Sequence, residues 1–332
     1  MRVLFAPKEV AGQISVLSHA LRDLGIPAKS LVFVPHKFGY HIDRTIVLGN
    51  YPNFSQRVLR LLVLLCSLFA FDVFHFQYGK TLFLSSRDLS ILKLFKKKIL
   101  MHFHGSEIRN PQYLIAKGES SSVVPSIMTS EQTSKLNFFR KYIDRFIVST
   151  PDLLELVPKA IYLPNSVGEE WFSHRKPTKE DDEFVVVHAP TSRAVKGTEF
   201  VISACANLKK RGYNIELKLV ENVSNREIRE LYEQADVFVD QLLIGWYGVA
   251  AIENMALGNP VISYIKPELN KKYAPDLPII QANKDNIEEV LESLLGDRKI
   301  LVKIGTASKE YAKKNHYPKI NAGKLIDIYN SI

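Results

Sequence analysis

The run Ile244-Gly-Trp-Tyr-Gly-Val-Ala-Ala-Ile-Glu-Asn-Met-Ala-Leu-Gly-Asn-Pro-Val-Ile262 holds the residues whose types and spacing could do chemistry. Its aromatics and Gly245 suit a tight loop. A helical run follows from about Gly248 to Leu257; Gly258 stops it, and Pro260-Val-Ile opens a strand. The loop therefore brings glycine backbone to a helix N-terminus, where unbonded N–H groups and the positive dipole end favour an anion. Glu253 falls about one and a half turns in, where a carboxylate is either solvated or holds hydroxyls. Phosphate at the cap and a diol on the carboxylate is how a sugar nucleotide would lie.

This segment resembles the donor-site signature of retaining GT-B glycosyltransferases, the large family with bacterial mannosyl-, glucosyl- and N-acetylhexosaminyltransferases. The family pattern runs Glu, Gly, Phe, Gly, a few apolar residues, Glu, Ala-Met-Ala, Gly and Pro-Val-Ile. Here the second glutamate is Glu253, and Asn254-Met-Ala-Leu-Gly-Asn-Pro-Val-Ile follows it. The first glutamate falls on Gly245, so half of the paired motif is missing. The resemblance implies that Glu253 accepts from both hydroxyls of a ribose diol. It also implies that the backbone of Tyr247, Gly248 and Val249 lies near the diphosphate or donor sugar. Since Gly245 offers the sugar no side chain, Asp240 or Gln241, just upstream at a strand end, is the substitute.

A second loop, Ala189-Pro-Thr-Ser-Arg-Ala-Val-Lys-Gly-Thr198, joins a strand to a helix. Small residues with one arginine and one lysine suit a diphosphate: Arg193 could clamp oxygens as a fork and Lys196 act as a point charge. The loop is similar to the family's Gly-Arg…Lys-Gly loop, with Lys196-Gly197 the more direct match. In the first half, His102-Phe-His-Gly-Ser-Glu107 is similar to a family stretch whose histidine faces the donor sugar, and His104 is the better match. Ala11-Gly12 stands where the family's backbone approaches the diphosphate. Pro164-Asn165-Ser166-Val167 is like an interdomain Pro-Asn-Gly-Val, with Asn165 shaping a hinge. His102 and His104 lack a third ligand, and Asp181-Asp182 sits in a polar stretch, so no metal site is expected. The leaving diphosphate would then be neutralised by Arg193, Lys196 and helix N-termini without Mg²⁺. No G-x-G-x-x-G follows the first strand, which argues against an NAD protein.

Alternating elements must position these residues. The expected strands of the first half are Arg2–Ala6, Ala28–Phe33, Val73–Phe76, Ile99–Phe103, Phe146–Ser149 and Ile161–Leu163, with helices over Gly12–Leu24 and Gln56–Phe71. The charged stretch Arg175–Glu183 reads as a linker. After it come strands Phe184–His188, Glu216–Val220 and Val237–Val239, and helices Thr198–Arg211, Asn225–Gln234 and Lys284–Leu295. Terminal helices over Ile300–Ile332 break near Pro318. The pattern implies an α/β protein with parallel sheets. With the resemblance it implies GT-B architecture: two doubly wound Rossmann-like domains facing a central cleft. The acceptor domain would span 1–170 with a crossover helix at about 315–332, and the nucleotide-sugar donor domain 171–314.

Composition bounds the rest. The 332 residues are 46% apolar, enough for two cores. The net charge of +9 fits phosphate-bearing substrates or anionic lipid, and without a zinc spacing, helix-turn-helix or RNP strand, nucleic acid is not expected. Cys66 and Cys205 read as buried thiols of a reducing compartment. Gln56–Phe71 is unusually apolar and Lys96-Lys-Lys98 follows it. A buried crossover helix with an exposed turn is the slightly simpler reading; a helix touching anionic lipid is the other. The N-terminus reads as a strand and not as a signal peptide, and no uninterrupted spanning segment is evident. The expectation is a cytoplasmic, metal-independent transferase without a cofactor, peripheral on the inner membrane face in the second reading. It would use a nucleotide-sugar co-substrate, a UDP-sugar first, and a glycan or lipid-linked acceptor, in bacterial-type polysaccharide, glycolipid or glycoprotein synthesis. The alternatives are a weak or inactive GT-B binding protein, or a GT-B enzyme with a non-nucleotide donor.

Overall fold

The computed structural model describes every residue except 37, 111–127, 173–182, 222 and 224, and the side chains of 225 and 226. The expected linker therefore lies outside the described residues apart from Glu183, and so does Asp181-Asp182. The chain forms two compact units. One is built from Met1–Asn110, the stretch ending at Ser166, and Pro318–Ile332; the other holds Val167–Tyr317. The changeovers thus fall at Ser166–Val167 and Tyr317–Pro318.

The first unit contains β1 (Val3–Ala6), β2 (Ala28–Val32), β3 (Arg44–Thr45), β4 (Val73–Gln77), β5 (Lys98–Phe103), β6 (Arg145–Val148) and β7 (Ile161–Tyr162). They pair in parallel in the order β3-β2-β1-β4-β5-β6-β7. Apolar β-formers on both faces make such strands, because helices cover each side. Alternation sorts them: Val3, Phe5, Val73, Leu100 and Ile147 face one core. That core holds Ile14, Leu17 and Leu21 of the helix Gln13–Asp23 and Leu325 and Tyr329 of the helix Pro318–Asn330. Leu4, Phe74, Phe76, Ile99 and Met101 face the other, with Leu64, Leu68, Leu89 and Leu92.

The second unit contains β8 (Phe184–His188), β9 (Ile215–Leu219), β10 (Val237–Val239), β11 (Val261–Ser263) and β12 (Ile280–Gln281), parallel in the order β12-β11-β10-β8-β9. Phe184 and Val186 pack on Val201, Cys205 and Leu208 of the helix Thr198–Lys210 and Leu291 of the helix Ile287–Gly296. Each sheet reverses its strand order once, between β1 and β4 and between β8 and β10. Open α/β sheets bind ligands at the carboxyl ends of strands at such a reversal. The loops carrying Lys196 and Asp240 follow β8 and β10.

One helix departs from the simpler expectation. Asn53–Ala70 is not buried: only Leu64, Ser67 and Leu68 are, and Cys66 is exposed rather than a buried thiol, whereas Cys205 is buried. Shorter elements escaped the sequence pattern. Asp88–Leu94 and Pro267–Tyr273 are two turns each, and β3 is two exposed residues, too short for a period to register. The helix Ser130–Phe139 has a signal that could have been read, a capping box between Thr129 and Gln132.

Candidate functional site

The residues after β8 and β10 meet at one place. After β8, Arg193–Lys196 makes a single helical turn, which Gly197 ends with φ 76° before the helix Thr198–Lys210 begins. That left-handed backbone suits glycine, and a Cβ there would lie 3.3 Å from Leu242 and Leu243, so the loop after β10 packs directly against it. The Lys196 carbonyl accepts from Leu242 N–H at 3.1 Å. His188, fully buried at the end of β8, clamps the junction: one ring nitrogen pairs with the Val239 carbonyl at 2.7 Å and the other with Thr198 Oγ1 at 2.9 Å. Burial lowers its pKa to about 4, so it is a neutral strut. Sequence reading passed over it as the last residue of a strand.

Lys196 Nζ donates to Asp240 Oδ1 at 2.6 Å, and Asp240 Oδ2 accepts the Gly248 N–H at 2.6 Å. The Asp240 side chain is 1% exposed and that of Lys196 12%. One expectation changes here and one is narrowed. Asp240 is engaged within the chain, one oxygen on the Lys196 ammonium and the other on the Gly248 N–H, so a sugar hydroxyl would meet only its remaining lone pairs. The Gly248 N–H cannot reach a phosphate, because Asp240 has it. Gly248 matters through space: a Cβ on it would lie 3.0 Å from Lys196 Nζ. The lysine ammonium therefore sits over the start of the helix Val249–Leu257, whose N-terminus has no side-chain cap. A fixed cation and the positive end of a helix coincide.

Glu253 projects from that helix and is 7% exposed. It has no hydrogen-bond partner among the described residues. Burial, with the Glu170 and Asp240 carboxylates adding to it, raises its pKa to about 8. A surface glutamate is thus ruled out. The residue is buried but its carboxyl oxygens are not among the fully buried atoms left without a partner, so the group keeps a narrow opening to solvent through which a ligand hydroxyl could reach it.

Gly245 explains the absent first glutamate physically. A Cβ there would lie 2.2 Å from Lys266 Cγ, and the Gly245 carbonyl accepts the Lys266 N–H at 3.0 Å. The buried stem of Lys266 fills the space where a side chain would begin. No periodic signal marks Lys266, which follows β11; only the folded contact reveals it. Tyr247 is 3% exposed, stacks on Trp246 at 5.0 Å and pairs its hydroxyl with His316 Nε2 at 3.1 Å. Its side chain anchors the loop to the helix Arg298–His316. Gln241, also buried, donates to the Trp246 carbonyl and so braces the same loop. Arg193 does not join Lys196 on a common anion position: its guanidinium forks onto Glu221 at 3.0 and 2.7 Å and reaches Glu199 at 3.3 Å. A cavity of about 270 Å³ lies past β11 and β12, between Tyr264, Pro267, Asn270 and Asn283; neither Lys196 nor Glu253 lines it.

In the first unit Gly12 stands beside a helix start that the chain itself occupies. Gly12, at φ 80°, does open the helix Gln13–Asp23, but the chain's own Glu9 fills that N-terminus. Glu9 Oε1 accepts from Val10 N–H at 2.7 Å and Ile14 N–H at 3.2 Å, and Oε2 from Ser15 N–H at 2.9 Å, with the residue 2% exposed. The first-turn N–H groups are thus engaged within the chain, Ile14 and Ser15 by Glu9 and Gln13 by the Val10 carbonyl at 3.0 Å. His104 stacks on His102 at 4.4 Å and pairs with Gln77 through Nε2 and with the Asn165 side chain. Burial lowers its pKa to about 3, so it is neutral and hydrogen-bonded rather than an acid. Glu107 accepts the Gly105 N–H at 2.8 Å and the His104 N–H, which fixes the turn. Asn165 thus supports His104. Among the described residues no cluster of three or more metal-ligating side chains occurs.

No protein-family model matches this sequence, and no curated protein matches it. Solved structures do, along the whole chain. HepE of Anabaena superposes with a TM-score of 0.67 at 11% identity, covering 100% of both chains. Sucrose-phosphate synthase from Thermosynechococcus elongatus gives 0.68 at 14%, covering 100% of this chain and 99% of its own. A glycosyltransferase from Rickettsia africae gives 0.63 at 14%, covering 99% and 97%. Identities this low speak for the fold. Two parallel, doubly wound units, matched end to end by these structures, give the chain the GT-B glycosyltransferase fold.

Proposed function

We propose that the protein is a glycosyltransferase that moves a sugar from a nucleoside diphosphate donor, a UDP-sugar first, to an acceptor hydroxyl in glycan synthesis. The carrying observation is Lys196 over the uncapped start of the helix Val249–Leu257, with the largely buried Glu253 carboxyl, unpaired among the described residues, further along it. The similar HepE structures include complexes with UDP and with UDP-glucose, which supports this choice of ligand.

In this reading the diphosphate sits at the helix start and shares Lys196 with Asp240. Charge developing on the leaving diphosphate is met by the ammonium and the first-turn N–H groups of Val249 and Ala250. Glu253 accepts the ribose hydroxyls and so fixes the nucleotide. Arg193, tied to Glu221 and Glu199, contributes field rather than a clamp. His104, neutral, is given no proton-transfer step. The reaction is expected to retain anomeric configuration and to run without a metal.

A second reading, a protein that binds nucleotide sugars without transferring them, draws on Gly245 and the Lys266 stem that fills its flank. Long incubation with a panel of nucleotide sugars, scored for diphosphate release with and without EDTA, separates the two. Release that survives EDTA supports the transferase. Binding of a donor with no release supports the second reading, and binding of no nucleotide rejects both.

A further inference from the structure

The helix Asn53–Ala70 is apolar on two sides. Leu64 and Leu68 on its inner side are buried in the first unit's core, with Leu59 and Val63 half-buried beside them. Its outer side carries Phe54 and Phe69, exposed by 76% and 74%, and between them the exposed Val58, Leu61, Leu62 and Leu65. Steps of three and four residues place these on one stripe. At ~1.5 Å per residue the stripe is roughly 22 Å long. It continues onto a neighbouring element: the Phe69 ring meets Phe95 edge-on at 6.4 Å, and Leu94 is 79% exposed. Scattered exposed leucines are ordinary, but a continuous apolar face on a water-soluble unit marks a contact surface.

Charge identifies the contact. From Tyr51 to Lys98 the chain has eight Lys and Arg, two Asp and no Glu. Both Asp are engaged internally, Asp72 with Arg2 at 3.1 Å and Asp88 with Thr81 at 2.8 Å. A second copy docking through the same face would set this positive charge against itself, whereas an anionic bilayer would attract it.

We infer that this face lies in the interface of an anionic membrane, with Phe54, Leu62, Leu65, Phe69 and Leu94 below the headgroups. Arg57, Arg87 and Lys96, all exposed, supply the headgroup contacts. Lys97 and Lys98 do not: their ammonium groups donate to the Phe71 and Tyr329 carbonyls at 2.8 and 2.7 Å, and Lys93 pairs with Asp144. The helix lies along the membrane and does not cross it, because its inner side is part of the sheet's core. The inference does not depend on the donor reading of the second unit.

Flotation of the full chain with vesicles of phosphatidylcholine alone, or mixed with phosphatidylglycerol, tests it. The wild type should float with the mixed vesicles at low salt and far less with the neutral ones. Phe54→Ser with Phe69→Ser should weaken that binding roughly tenfold or more, since two large apolar groups leave the bilayer. Lys96→Glu should weaken it less and reduce its salt dependence. Because these side chains are exposed, the variants should unfold at the wild-type midpoint. Absence of flotation at low salt, or flotation unchanged in the double serine variant, would overturn the inference. So would a concentration-dependent dimer that the same substitutions abolish, which would make the face a protein interface.

Discussion

At the reversal of the first sheet, the helix Gln13–Asp23 begins against Glu9; at the reversal of the second, the helix Val249–Leu257 begins against Lys196. Both are parallel strand junctions followed by a glycine and a helix, and both helix starts carry the same positive end. In the first, an internal carboxylate accepts three N–H groups. In the second, an internal carboxylate also appears, but Asp240 binds the lysine and one loop N–H and leaves the helix start beyond Gly248 uncapped. Topology alone therefore does not make an anion site. In the proposed reading, what decides is whether the chain's own negative group reaches the helix axis or stops short and holds a cation there.

Several substitutions would break or sharpen this contrast. The largest effect is expected from Lys196→Gln. It strands Asp240 in a buried position, at a cost of about 3–5 kcal/mol in unfolding free energy. Adding Asp240→Asn should recover most of that stability in urea titrations without restoring diphosphate affinity. If the single change left the midpoint untouched, the buried pair would not organise the two loops.

Glu253→Gln acts next. The wild-type carboxyl titrates near 8 in the folded unit and near 4.5 when unfolded. Between those values the folded state holds a proton that the unfolded state has lost. The associated stability is therefore complete below pH 4.5 and declines as pH rises to about 8. Without ligand the variant should be more stable than wild type by up to about 3 kcal/mol at pH 7, and its Tm should lack this decline. It should at the same time bind nucleoside diphosphates more weakly. A Tm that fell equally with pH in both proteins would argue against a buried, proton-holding carboxyl.

Glu9→Gln should cost less, about 1–2 kcal/mol, because the amide oxygen keeps part of the N–H cage. Nucleotide affinity should stay at the wild-type value, since Glu9 belongs to the filled junction. Weakened nucleotide binding in this variant would place a ligand at the first reversal and dissolve the contrast.

Much of the frame was legible in the sequence. Apolar runs gave the long strands, and Gly258 with Pro260 marked the end of the helix carrying Glu253. That helix and the Lys196-Gly197 loop were legible because the chemistry lies in contiguous residues. The contacts of Glu9, Asp240 and Lys266 were not legible because they depend on which loop folds against which. Glu9 bends onto a helix that begins four residues later, and Lys266 lies against Gly245 across the helix Val249–Leu257 and β11. The outer face of Asn53–Ala70 was ambiguous for a different reason. A helix apolar on both sides has the composition of a buried one, and only the fold shows which side is covered.

The central claim is that the second reversal is an open diphosphate site and that Lys196 makes it one. Calorimetric titration of UDP, GDP and ADP, each beside its own nucleoside, into wild type and into Lys196→Gln/Asp240→Asn tests it most directly. One diphosphate should bind wild type at least about tenfold more tightly than its nucleoside, a gap of ~1.4 kcal/mol, and the gap should close in the double variant. Equal affinity for diphosphate and nucleoside in wild type, or a gap that survives in the variant, would contradict it.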